Sequence, residues 1–202
     1  MNNHIHWFVR LLRSPYVQNI GYKYEDIIID RDFFLILSIR VDQGKVKLAE
    51  GYISAGSGAE YSPSEHTIFF SKGFFLTNAK ADIESDLVHE GIHAGVHGQF
   101  PAFQFSTDQK SKLDRECVAY IGGAFFDLNC TKGVGYCNQP NPTGKEVVFS
   151  IAEAIAKKVR RRFIQLKGGS LPAVEALDAY HLRKAISEQP GYKYLHITPY
   201  PQ

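Results

Sequence analysis

Between residues 78 and 98 the chain carries a helical pattern whose apolar residues wrap most of the circumference, and this limits the possible folds more than any other feature. Projected at about 100° per residue, Asp82, Asp86, His89, Glu90, His93 and His97 fall in one wedge of about 100°, while Ile83, Leu87, Val88, Ile92, Ala94 and Val96 cover the rest. A helix of this kind has to be surrounded by other elements. Its polar seam also needs a partner, because buried imidazoles and carboxylates are costly unless paired or bound to metal. Gly91 and Gly95 each cost about 0.8 to 1 kcal/mol relative to alanine inside a helix, which implies a packing reason. The expected neighbour is a backbone passing close by, from the next helical stretch at 107–128 with its small residues Ala119, Gly122, Gly123 and Ala124. Thr77 or Asn78 reads as the N-cap and Gly98 as the stop.

Within this helix His89, Glu90, Gly91, Ile92 and His93 form an HExxH pattern. Residues four apart lie one above the other on a helix, so both imidazoles can reach one tetrahedral Zn²⁺. Glu90 lies about 100° around from His89, near enough to the open metal position to take a proton from water without being a ligand. The pattern resembles the zinc metallopeptidases called zincins. The resemblance implies a zinc-dependent peptidase in which a metal-activated water attacks a peptide bond and Glu90 is the general base.

A catalytic zinc needs a third protein ligand. His97 is two turns from His89, about 12 Å along the axis, too far to share one ion. The metzincin extension is ruled out, since its glycine and third histidine would fall on Val96 and Gln99. The gluzincin branch is the closer likeness: there a glutamate on the following helix completes the set, and the run Glu116, Cys117, Val118, Ala119, Tyr120 is similar in placement. This implies the ligands His89, His93 and Glu116, with Asp114 as the alternative carboxylate. Tyr120 stands where some gluzincins have a ligand-orienting aspartate, so Asp86 or Asp82 is expected to accept an imidazole N–H instead. The resemblance further implies that Ile68 to Phe70 belong to an edge strand that pairs with extended substrate, and it points to the compact bacterial toxin or effector type of peptidase. Two other readings stay open: a noncatalytic binding protein on a zincin-like scaffold, and a zinc-dependent amidase acting on a non-protein amide such as a peptidoglycan crosslink.

The remaining sequence sets milder bounds. At 202 residues with 44% hydrophobic and 22% charged composition, residues 1–202 suit a single domain. A net charge of +2 gives no reason to expect a nucleic-acid partner, and the basic run Lys157, Lys158, Arg160, Arg161, Arg162 reads as a solvated face of a helix at 145–166. No segment has the length of a membrane span, and residues 1–16 lack the apolar core of a signal peptide. The expectation is a cytoplasmic protein, or one exported without such a signal, with a peptide or protein as substrate. Cys130 and Cys137 are spaced to pair in an oxidising compartment, and Cys117 reads as a buried thiol. Strand-like runs at 26–40, 45–55 and 65–75 precede helices, which predicts an α+β fold. Its N-terminal sheet is antiparallel or mixed, with an edge strand beside the active-site helix, and its C-terminal half is helical. The last helix is expected from about 172 to 188 with Ser170 as N-cap, and one of Tyr192, Tyr194, His196 or Tyr200 is a candidate oxyanion donor.

Overall fold

The computed structural model describes residues 3–53, 58–77, 80–99, 109–130, 144–166 and 170–192. Its element order is α1 (Asn3–Leu12), α2 (Pro15–Gln18), β1 (Tyr22–Tyr24), β2 (Ile27–Ile29), α3 (Arg31–Asp42), β3 (Lys47–Glu50), β4 (Ala59–Ser62), β5 (Thr67–Phe70), α4 (Phe74–Thr77), α5 (Lys80–Gln99), α6 (Gln109–Cys130), α7 (Gly144–Gln165), α8 (Ala176–Ser187) and a 3₁₀ turn, Pro190–Tyr192. The fold is α+β with a helical C-terminal half. No described helix is long and apolar enough to cross a membrane.

Two small sheets precede the long helices. β1 and β2 form a hairpin whose two-residue turn places Glu25 at φ 50°. Tyr22, Tyr24, Ile27 and Ile29 point inward, and the Tyr22 hydroxyl donates to the Val118 carbonyl at 2.6 Å, fixing the hairpin to α6. The second sheet is mixed, in the order β3-β5-β4, with β3 parallel and β4 antiparallel to β5. β4 is an edge strand and lies along α5. Ile68 to Phe70 belong to the central strand β5, so the expected assignment of the edge strand to them is corrected. Their apolar, β-favouring character fits a strand covered on both sides, whereas the short half-polar β4 fits an edge.

The strand expected at 26–40 is another correction. Only Ile27–Ile29 is extended; Asp30 then caps α3, its carboxylate accepting from the Phe33 amide at 2.9 Å. Phe33, Phe34, Leu37 and Val41 are buried at helical spacing, so the residues after the cap follow the 3.6-residue period despite their β-favouring types. The run at 65–75 is likewise broken at Gly73, φ 80°, into β5 and α4, and the run at 45–55 is a strand only over β3. Ser170 does not cap the last helix. Glu175 occupies that position, because Pro172 and Val174 are drawn into hydrogen bonds with the Lys23 backbone at 2.9 and 2.8 Å.

α5 lies at the centre, packed on α6, α3, α1 and the sheet. Leu87, Val88, Ile92 and Ala94 are fully buried. The glycines of α5 differ from expectation in what they face. Gly91 is covered by Phe8 of α1 and Leu37 of α3, and a Cβ on Gly95 would overlap the Phe33 ring. Neither faces a backbone of α6. The close approach between α5 and α6 comes from the other side, where Gly122 leaves room for the Ile92 side chain. Gly98 does not end the helix, which continues to Gln99; it makes room for the Arg40 guanidinium. Asn78, Cys137, Tyr194, His196 and Tyr200 lie outside the described residues, and with them the expected Asn78 cap, the Cys130–Cys137 pairing and most of the tail.

Candidate metal centre

The seam of α5 faces α6, which runs antiparallel beside it. His89 and His93 lie one turn apart, their rings edge to face, with their Nε2 atoms 3.2 Å from each other. Glu116 on α6 reaches both: its Oε2 is 3.8 Å from His89 Nε2 and 3.5 Å from His93 Nε2. Three ligand atoms at about 2.0 to 2.2 Å from a tetrahedral ion are separated by about 3.3 to 3.6 Å, so this triangle is the size a zinc site requires. The side chains are 14 to 16% exposed, which leaves an approach from one side.

Burial by itself raises the Glu116 pKa, but the His93 and His89 imidazoles beside it outweigh that and hold the carboxylate well below its ordinary range. It is therefore ionised, the form a metal ligand needs. The other candidate, Asp114, is on the far side of α6. It accepts from the Tyr24 hydroxyl at 2.9 Å and from Arg183 Nε at 2.5 Å, and so it is tied into a separate network.

Glu90 lies beside the triangle with one oxygen on each side of a divide. Oε1 is 3.9 Å from His89 Nε2, and Oε2 accepts the Tyr61 amide of β4 at 2.8 Å. Desolvation pushes its pKa up to about 7; the Glu116 and Asp86 charges add to the rise, while His89 and the Tyr61 amide oppose it. A carboxyl poised near neutrality suits proton transfer.

Tyrosines line the rest of the centre. The Tyr120 ring meets the His89 ring edge to face at 4.7 Å and so packs against the imidazole plane. Tyr120 is in turn packed on Phe149 of α7 at 5.2 Å. Tyr192, in the 3₁₀ turn after α8, lies near Glu116, and burial with the Glu116 charge drives its hydroxyl pKa far up. Of the tail aromatics named from sequence, Tyr192 is the one within the described residues. Asp86 is placed against the Gly58 backbone, with its charge acting on Glu90 and Tyr120, and Asp82 is exposed. His97 is not with His89 and His93: it is buried, with Nδ1 2.6 Å from the Tyr61 hydroxyl and its ring stacked on His66 at 4.9 Å. Burial, then His66, Arg115 and Arg40, lower its pKa.

Sequence reading missed Tyr61. Its strand has only four residues, and its link to Glu90 runs through a backbone amide, which no side-chain pattern reveals. Compared with protein-family models, curated proteins and solved structures, the chain matches none.

Proposed function

We infer that the chain is a zinc-dependent peptidase of the HExxH kind, with His89, His93 and Glu116 holding the metal. The observation that carries this is the triangle of two Nε2 atoms and one carboxylate oxygen at 3.2, 3.5 and 3.8 Å, assembled from two helices. Two imidazoles and one carboxylate with an open fourth position are a donor set for catalytic zinc. When bound, the ion supplies Lewis acidity, acidifying water and polarising the scissile carbonyl.

The chain's own groups account for the remaining steps. Glu90 Oε1, turned toward His89, takes the proton of the attacking water and returns it to the leaving amine. Tyr120 holds the His89 ring plane. An edge strand along the active-site helix favours an extended peptide over a compact substrate.

The test is Glu90→Gln beside the parent, with zinc content and hydrolysis of a quenched-peptide pool measured together. One zinc per chain in both proteins, with a rate loss of about 10²- to 10⁴-fold in the variant, is expected for the loss of a general base. Equal cleavage by the two proteins sinks the role of Glu90. A zinc-loaded parent that cleaves no peptide leaves the amidase or the noncatalytic scaffold in its place.

A further inference from the structure

The geometry points to Tyr61 as the positioning residue for Glu90: its amide holds one carboxylate oxygen while its hydroxyl, locked between His66 and His97, holds the amide in place. This deepens the peptidase reading and rests on it.

A glutamate side chain has several rotamers, and a general base works only in the one that aims an oxygen at the water. Here the Tyr61 amide takes Oε2 at 2.8 Å, which leaves Oε1 turned toward His89 at 3.9 Å. The amide is available because of the strand pairing. Tyr61 stands opposite Ile68 in the antiparallel β4–β5 ladder, at a position where the backbone groups point away from β5 and toward α5.

β4 is a four-residue edge strand held by β5 on one side only, and an edge so short does not fix an amide by itself. The Tyr61 side chain supplies the second anchor. Its hydroxyl is 2.6 Å from His97 Nδ1 and 3.3 Å from His66 Nδ1. A hydroxyl has one proton, so it donates to one imidazole and accepts from the other. His97 is on α5 seven residues beyond Glu90, about two turns along the axis, so Tyr61 grips the active-site helix at two points. The ring is 8% exposed and His97 4% exposed, and the two rings meet edge to face at 5.7 Å. His66 is presented from the β4–β5 turn with φ 50°, a left-handed backbone conformation that stacks its ring on His97.

The test uses the full chain loaded with zinc, comparing the parent with Tyr61→Phe, His97→Ala and His97→Asn, the last keeping a polar atom near the Nδ1 position. Three quantities are read: zinc per chain, kcat and KM on the quenched-peptide pool, and the amide proton shift of residue 61 by ¹H–¹⁵N NMR. The expected result is one zinc throughout. Tyr61→Phe and His97→Ala lose about tenfold in kcat with KM within about twofold, part of the ~10²-fold that a small misplacement can cost, and His97→Asn recovers most of the loss. The residue 61 amide, shifted downfield by the carboxylate in the parent, moves upfield in both damaging variants and in Glu90→Gln. A drop in melting temperature with kcat and the amide shift unchanged overturns the proposal, as does loss of zinc in Tyr61→Phe. If the parent cleaves nothing, the peptidase reading fails separately, and an amide shift indifferent to His97→Ala overturns the positioning role by itself.

Discussion

Glu116 and Asp114 are two residues apart on the same helix, both largely buried, and they face opposite sides of it. Asp114 faces a permanent cation: Arg183 Nε donates to it at 2.5 Å and the Tyr24 hydroxyl at 2.9 Å, while Arg183 also pairs with Glu25. Glu116 faces two imidazoles and a tyrosine. Burial raises the Asp114 pKa against the pull of Arg183, whereas the imidazoles take Glu116 down. The difference separates structure from chemistry. A buried carboxylate already closed off by an arginine and a tyrosine is committed to the structure, whereas one facing imidazoles that can give up their protons is open to a metal ion.

The comparison breaks most directly at the ligand. Glu116→Ala is expected to lower zinc affinity by more than ~100-fold, beyond the range for removing a partner that only supports a ligand, while Asp114→Asn leaves affinity within a few-fold. Competition with a zinc chelator reads both. The reverse outcome would move the third ligand to Asp114 and undo the assignment of the two faces.

Next in size is the structural face. Arg183→Met strands Asp114 without its cation and is expected to cost about 3 kcal/mol, visible in chemical denaturation, with zinc content unchanged. A stability loss under about 1 kcal/mol would mean the Asp114 network is not the anchor described. Smaller again is the seam between the helices. Gly122→Ala sets a methyl against Ile92 and should cost about 1 to 3 kcal/mol by overpacking, with a secondary loss of zinc affinity if the spacing of α5 and α6 sets the triangle.

The smallest effect concerns a third carboxylate of α6. Asp127 accepts from Ser85 Oγ at 3.2 Å, and burial with the Asp82, Asp86 and Glu153 charges pushes its pKa up to about 7 against the Ser85 bond. A folded pKa above the unfolded value near 3.8 means the folded state binds more protons between about pH 4 and 7. This contribution is full below about pH 4 and lost as pH rises through 7. Asp127→Asn should flatten that part of the stability profile of the metal-free protein, and an unchanged slope would show that Asp127 titrates normally.

The local sequence settled whatever depends on residues within one turn of each other. The spacing of His89 and His93 puts two imidazoles on one face of a helix whatever surrounds it, and the apolar girth of α5 makes it a central helix, because nothing else satisfies that much apolar surface. The α+β order followed from strand-like runs preceding helical ones. Glu116 was singled out by its distance along the chain, yet only the antiparallel docking of α5 on α6, with Gly122 receiving Ile92, brings its oxygen within 3.8 Å of both imidazoles. Asp114 was the alternative carboxylate in sequence, and its pairing with Arg183, sixty-nine residues away, is visible only in the fold. The tertiary structure alone decided that β4 and not β5 is the edge, that Gly91 and Gly95 face aromatic and aliphatic side chains of α1 and α3, and that Tyr61 reaches Glu90. Those relations are made by strand pairing, backbone amides and packing between distant segments, whose partners are set by the lowest free energy of the whole chain and leave no periodic signal in any one stretch of it.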